Sequence, residues 1–163
     1  MQRLYSPWRL QYVTSASGDA SAGCVFCAAL ERRDPLIVFR GAHTFVILNL
    51  FPYNNGHLMV VPKRHIGRLA LASDDELSEM MRLTRTAEQA LTEAYAPHGM
   101  NMGLNLGKPA GAGVLDHLHM HVVPRWDGDT NFMSVVGETR VLPEEIPATA
   151  ERLRGVFNRL CGG

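Results

Sequence analysis

The sequence predicts an α+β domain: an antiparallel sheet of about five strands, one long helix and a short C-terminal helix. Three observations carry this. β-Rich runs fall early and late in the chain, one long amphipathic pattern lies between them, and strands do not alternate with helices as in a doubly wound sheet.

Residues 1–23 read as an N-terminal arm and flexible linker, and residues 24–163 as a single domain. The arm, Leu4 to Val13, carries Tyr5, Trp8 and Tyr12, and Ser15 to Gly23 is small and polar. Strand-like runs follow at Leu36–Arg40, His43–Leu50 and His57–Val61, with Gly41 and the Pro52–Gly56 stretch as turns. Ser73-Asp74-Asp75-Glu76 is a capping box with acidic residues in the first turn, where the helix dipole favours them. From there Leu77, Met80, Met81, Thr84, Ala87, Leu91 and Ala94 recur at helical spacing until Pro97 and Gly99 end the helix. Met100–Leu106 reads as a strand, Gly107–Gly113 as a loop and Leu118–Pro124 as a strand. After Pro147, Leu153, Val156, Phe157 and Leu160 mark the short last helix.

The 163 residues carry a formal net charge of zero, with no block of like charge. This argues against a broad nucleic-acid or anionic-membrane surface, while leaving room for a small anionic ligand. No apolar run approaches the roughly 20 residues that span a bilayer, and the N-terminus lacks the apolar stretch of a signal peptide. A cytoplasmic protein is expected. Three cysteines, with Cys24 and Cys27 two residues apart, do not form a disulfide framework; they suggest half of a metal site or a redox pair.

The chemistry concentrates in His117-Leu118-His119-Met120-His121. On a strand the three histidines would share one face, about 6–7 Å apart, with Leu118, Met120 and Val122 turned to the core. Cations that close repel, so at least one imidazole should be neutral at pH 7. A neutral imidazole is a nucleophile or a metal ligand, and both roles stand open.

This run, followed by Val122-Val123, resembles the signature of the histidine-triad superfamily. Asn49, Pro52-Tyr53-Asn54-Asn55-Gly56-His57 and Val61-Pro62-Lys63 are similar to the same family's upstream half-site, so the resemblance covers roughly residues 24–126. It implies that His119 attacks a nucleotide α-phosphorus to form a covalent nucleotidyl-histidine. It implies that His121 donates to phosphate oxygens and that His57 helps hold the phosphate. Asn49 would bind the ribose, Ile47 and Met59 would line the base pocket, and the loop with Asn105, Gly111 and Gly113 would offer donors to the phosphates. It also implies a structural zinc ion on Cys24, Cys27, His65 and His117, and a homodimer joined through its sheets.

Several reactions occur on such sites. Where the phosphoramidase and hydrolase branches usually carry Gln, this chain has Gly113, and its loop is one residue longer than in the phosphoramidase branch. The missing side chain would leave room for orthophosphate as second nucleophile. Ser6-Pro7-Trp8-Arg9, Gly103-Leu104-Asn105-Leu106-Gly107, Pro124-Arg125-Trp126 and Gly128-Asp129 resemble a bacterial branch that acts on diadenosine tetraphosphate, although its usual Gly-Ser pair is Ala112-Gly113 here. The expected function is hydrolysis or phosphorolysis of a diadenosine polyphosphate. The alternatives are a purine nucleoside phosphoramidase and a nucleotide-binding regulatory protein with little turnover.

Overall fold

A computed structural model describes residues 23–129 and 142–162. The arm expected over Leu4–Val13, and nearly all of the linker, lie outside the described residues.

Two layers of helix sandwich a five-stranded antiparallel sheet in the order β1-β2-β3-β5-β4. The strands are β1 (Ile37–Arg40), β2 (Thr44–Leu48), β3 (Leu58–Pro62), β4 (Gly99–Leu104) and β5 (Met120–Arg125). On one face, Val46, Leu58, Val60 and Val122 pack against α2 (Asp74–Tyr95) and α3 (Ile146–Cys161). On the other, Phe45, Ile47, Met59 and Val61 pack against Phe26 and Ala29 of α1 (Val25–Arg32). Alternation along β2 and β3 thus supplies both cores, and both strands are buried throughout.

The capping box forms as expected. The Ser73 hydroxyl accepts from the Glu76 N–H, and the Glu76 carboxylate accepts from the Ser73 N–H. Glu76 also pairs with Arg64 at 2.7 Å, which ties the start of α2 to the segment after β3. One turn on, buried Glu79 accepts from the N–H groups of Ala42, His43 and Thr44 and from the Thr44 hydroxyl. Gly41 is required there, because a Cβ would come within 2.8 Å of that carboxylate.

Three elements differ from expectation. α3 is not short: its 16 residues begin at Ile146, since Pro147 is tolerated in the first turn, where N–H groups have no intrahelical partner. Helix α1 was not expected; its signal is the spacing of Phe26, Ala29 and Leu30, in a segment too short to show a full period. Strand β5 starts at Met120, so His117 and His119 precede the ladder rather than lying in it. That frees their rings from strict alternation, and the His119 and His121 rings stand 4.8 Å apart, closer than strand spacing predicts.

Candidate active site and metal centre

The site is assembled on the α1 face, where β3, β5 and the segment before β5 meet. Ile47, Met59 and His121 form one cross-strand row, continued by Gly103 on β4. Ile47 and Met59 are almost fully buried, in the cluster that Val114 also joins.

His119 is 5% exposed. Its Nδ1 lies 2.8 Å from the His117 carbonyl. A carbonyl only accepts, so Nδ1 carries the proton and the lone pair is on Nε2. Burial pushes the His119 pKa down, and the bond to the His117 carbonyl only partly offsets this. The result is a neutral imidazole with one nitrogen prepared for attack.

His57 is fully buried. Its Nδ1 accepts from the Tyr53 N–H at 3.1 Å, and the Asn49 amide nitrogen lies 3.3 Å from the same atom. With Nδ1 an acceptor, Nε2 carries the proton and donates to His121 Nδ1 at 2.9 Å. His121 Nδ1 is then the acceptor of that pair, which puts its own proton on Nε2. A backbone amide thus sets two tautomers in series. The Tyr53 ring lies against both imidazoles, with centroids 4.6 and 5.9 Å away. Gly56 makes the turn possible: its φ is +77°, and a Cβ there would meet Leu91 at 2.9 Å.

Asn49 is buried; its carbonyl oxygen accepts from the Phe51 N–H, and its amide faces His57. Lys108–Ala110 form one short turn of the loop, and the N–H groups of Ala110, Gly111 and Ala112 donate to carbonyls of Gly107 and Lys108. The Gly111 N–H is therefore engaged within the loop; what Gly111 contributes is shape, with φ at +89°. Gly113 and Asn105 flank this turn and are partly exposed. Arg125 is held in an ion pair with Asp129.

A second cluster adjoins the first. The ligand atoms of Cys24, Cys27, His65 and His117 all lie within 4.8 Å of one another. His117 Nε2 donates to the Pro62 carbonyl at 2.8 Å, so its Nδ1 lone pair faces Cys24 Sγ at 3.1 Å and Cys27 Sγ at 3.7 Å. His65 Nδ1 lies 3.4 Å from Cys27 Sγ. A tetrahedral Cys₂His₂ zinc site needs ligand separations of about 3.4–3.8 Å. Cys27 Sγ lies in that range from both His65 and His117, and Cys24 Sγ is slightly closer to His117, so small side-chain adjustments let the residues fit the ion. The donor set fits too. Burial, together with the neighbouring Cys24, raises the Cys27 thiol pKa, and burial lowers that of His117, which favours neutral imidazole. A cation between the sulfurs would remove the penalty on the thiolates. The Pro62 carbonyl is the outer partner that metal-bound histidines usually have.

Sequence reasoning gave no role to Phe26, nor to Tyr53, Asn54 and Asp129, which entered it only as parts of matching motifs. Phe26 packs against His117 and His119, with ring centroids 5.4 and 5.1 Å away. Asn54 and Asp129 bond to each other across the fold, a pairing with no signature in local spacing.

Comparison with known proteins agrees with this geometry. The HIT domain family matches residues 32–128. The chain is 40% identical over 161 residues to AP-4-A phosphorylase of Mycobacterium tuberculosis (strain CDC 1551 / Oshkosh), covering 94% of this chain and 83% of that protein. Among solved structures it is similar to a Zn-bound histidine triad family protein from Mycobacterium smegmatis, at 26% identity and a TM-score of 0.70, covering 88% of this chain and 99% of that one. A hypothetical histidine triad nucleotide-binding protein from Sulfolobus tokodaii strain7 also has 26% identity and a TM-score of 0.70, covering 84% and 93%. With the triad, the antiparallel sheet and a family match over most of its length, this chain belongs to the HIT domain family.

Proposed function

We propose that this protein cleaves a diadenosine polyphosphate, such as diadenosine tetraphosphate, through a nucleotidyl-His119 intermediate. The observation that carries the reading is the His119 ring: neutral, held by its Nδ1–H on the His117 carbonyl so that the lone pair is on Nε2, and 4.8 Å from the His121 ring. The similarity to an AP-4-A phosphorylase supports the substrate class.

His119 Nε2 attacks the α-phosphorus. An N–P bond forms as the P–O bond to the leaving polyphosphate breaks, and ATP departs from diadenosine tetraphosphate. His121 Nε2–H donates to phosphate oxygens as negative charge builds there. His57, Asn49, Ile47 and Met59 frame the nucleotide, and the Asn105, Gly111 and Gly113 loop shapes the space where the second nucleophile enters. Orthophosphate then breaks the N–P bond and releases ADP; water would release AMP.

Cys24, Cys27, His65 and His117 would hold zinc, supplying a closed structural crosslink between the start of α1 and the triad. The four ligand positions and the similarity to a Zn-bound relative support this. The resemblance also suggests a homodimer. Among the described residues β4 lies at one edge of the sheet, and sedimentation analysis tests whether two copies associate.

The deciding experiment is incubation with diadenosine tetraphosphate, with and without phosphate. ADP formed only with phosphate establishes phosphorolysis; AMP plus ATP without it establishes hydrolysis. Cleavage of adenylated lysine alone would make the protein a phosphoramidase. No turnover of either, with AMP retained, would overturn the enzymatic reading.

A further inference from the structure

Outside the strand ladder, side chains of the described residues fasten the loop that carries His57 to β5 at two places. One is the His57–His121 hydrogen bond. The other lies three residues further along the strand, about 10 Å away. There the Asn54 amide uses both of its N–H bonds, one to the Pro124 carbonyl at 3.0 Å and one to Asp129 at 2.7 Å. Asn54 is buried, so this is an ordered contact in a site with little water. The Asn54 carbonyl also accepts from the His57 N–H at 3.2 Å, closing the turn whose Tyr53 N–H sets the His57 tautomer.

Asp129 is itself held. Arg125 grips it with two bonds, Nε to one oxygen at 2.6 Å and NH2 to the other at 2.9 Å, and the Trp126 N–H adds a third at 3.2 Å. Arg125 in turn donates to the side-chain oxygen Oδ1 of Asn101, on β4, at 2.8 Å. The strut therefore runs from β4 through Arg125, Asp129 and Asn54 to the turn at Tyr53–His57.

We infer that Asp129, acting through Asn54, is a positioning residue for the His57–His121 pair. With the strut in place, the Tyr53 N–H, His57 and His121 stay in line and His121 keeps its proton on Nε2. Without Asp129, Asn54 loses one of its two bonds beside β5, and the turn is held there less firmly. The His57–His121 geometry then loosens, and His121 samples the tautomer that cannot donate from Nε2. The consequence for rate rests on the nucleotidyl-transfer reading above; the consequence for the tautomer does not.

The test compares Asp129→Ala and Asp129→Asn with the unaltered protein, using long-range ¹H–¹⁵N spectra of the histidine rings and steady-state kinetics on diadenosine tetraphosphate. In Asp129→Ala, His121 should show mixed tautomers, and kcat should fall about ten- to a hundredfold, with KM within about twofold. Asp129→Asn retains an oxygen for Asn54 and should stay within about threefold of the original kcat. If Asp129→Ala does not fold, Arg125→Gln loosens the same carboxylate from its exposed side and should shift the tautomer in the same direction. A His121 spectrum unchanged in a folded variant overturns the inference. A shifted spectrum in proteins that never cleave the substrate upholds it and overturns the nucleotidyl-transfer reading instead.

Discussion

The Nδ1 of His119 lies 2.8 Å from the carbonyl oxygen of His117. The side chain of His117 faces the two cysteines, while its backbone holds the ring of its neighbour but one. The proposed metal centre and the proposed nucleophile thus share one residue, through two different groups of it. Whatever fixes the His117 side chain also fixes the hydrogen bond that leaves His119 Nε2 open.

Removing the nucleophile should remove the chemistry. His119→Ala should lose at least about 10³-fold in kcat on diadenosine tetraphosphate, and no labelled nucleotide should remain covalently attached after rapid denaturation. Retention of the acid-labile adduct in this variant would exclude His119 as its site.

Purified protein never exposed to chelator should contain about one equivalent of zinc per chain. Cys27→Ser should reduce this below about one tenth and lower Tm by several degrees, because the ion crosslinks segments far apart in sequence. Elemental analysis and thermal unfolding read the two effects separately. Zinc-poor wild-type protein would defeat the assignment.

His57→Ala should cost both rate and stability. It removes the Nδ1 acceptor of the Tyr53 N–H and the Nε2 donor to His121 from a largely buried site. The expected loss is about 2 kcal/mol in urea unfolding and a fall of about 10² in kcat. A stability loss with unchanged kcat would confine His57 to a packing role.

The Arg64 guanidinium holds the Glu76 carboxyl down at about 2, from an ordinary 4.5; burial opposes this and the Ser73 N–H assists. A depressed carboxylate stabilises the fold above its unfolded value, and that contribution is lost as pH falls from about 4.5 towards 2. The urea midpoint of wild type should exceed that of Glu76→Gln at pH 7, and the gap should narrow by pH 3. An equal gap at both values would show that the ion pair contributes nothing to the pH dependence.

Glu79→Ala should destabilise strongly, by about 3 kcal/mol or more, because three backbone N–H groups and a hydroxyl lose their shared acceptor. The gap it leaves beside Gly41 adds to the loss. Chemical denaturation measures it, and a change under about 1 kcal/mol would mean that water replaces the carboxylate without penalty.

Much of this protein was legible in its sequence because the signals are periodic and local. The short apolar runs in Thr44–Leu48 and Leu58–Pro62, the capping box at Ser73–Glu76 and the stripe along α2 each depend on residues a few positions apart. The spacing of His117, His119 and His121 marked the site, and the resemblance supplied Cys24, Cys27, His65 and His117 as a set that the fold brings together. Other features were not legible. The strand starts at Met120 because the segment before it turns His117 towards the cysteines and bonds Leu118 N–H to the Ile66 carbonyl. Which nitrogen of each imidazole carries the proton was decided by the Pro62 carbonyl, the His117 carbonyl and the Tyr53 N–H. The Asn54–Asp129 strut joins residues 75 positions apart. Sequence alone determined which groups are present and which faces are apolar, because those follow from residue type and period. Only the tertiary structure decided which lone pair faces which donor, because a hydrogen bond depends on where two backbones meet in space.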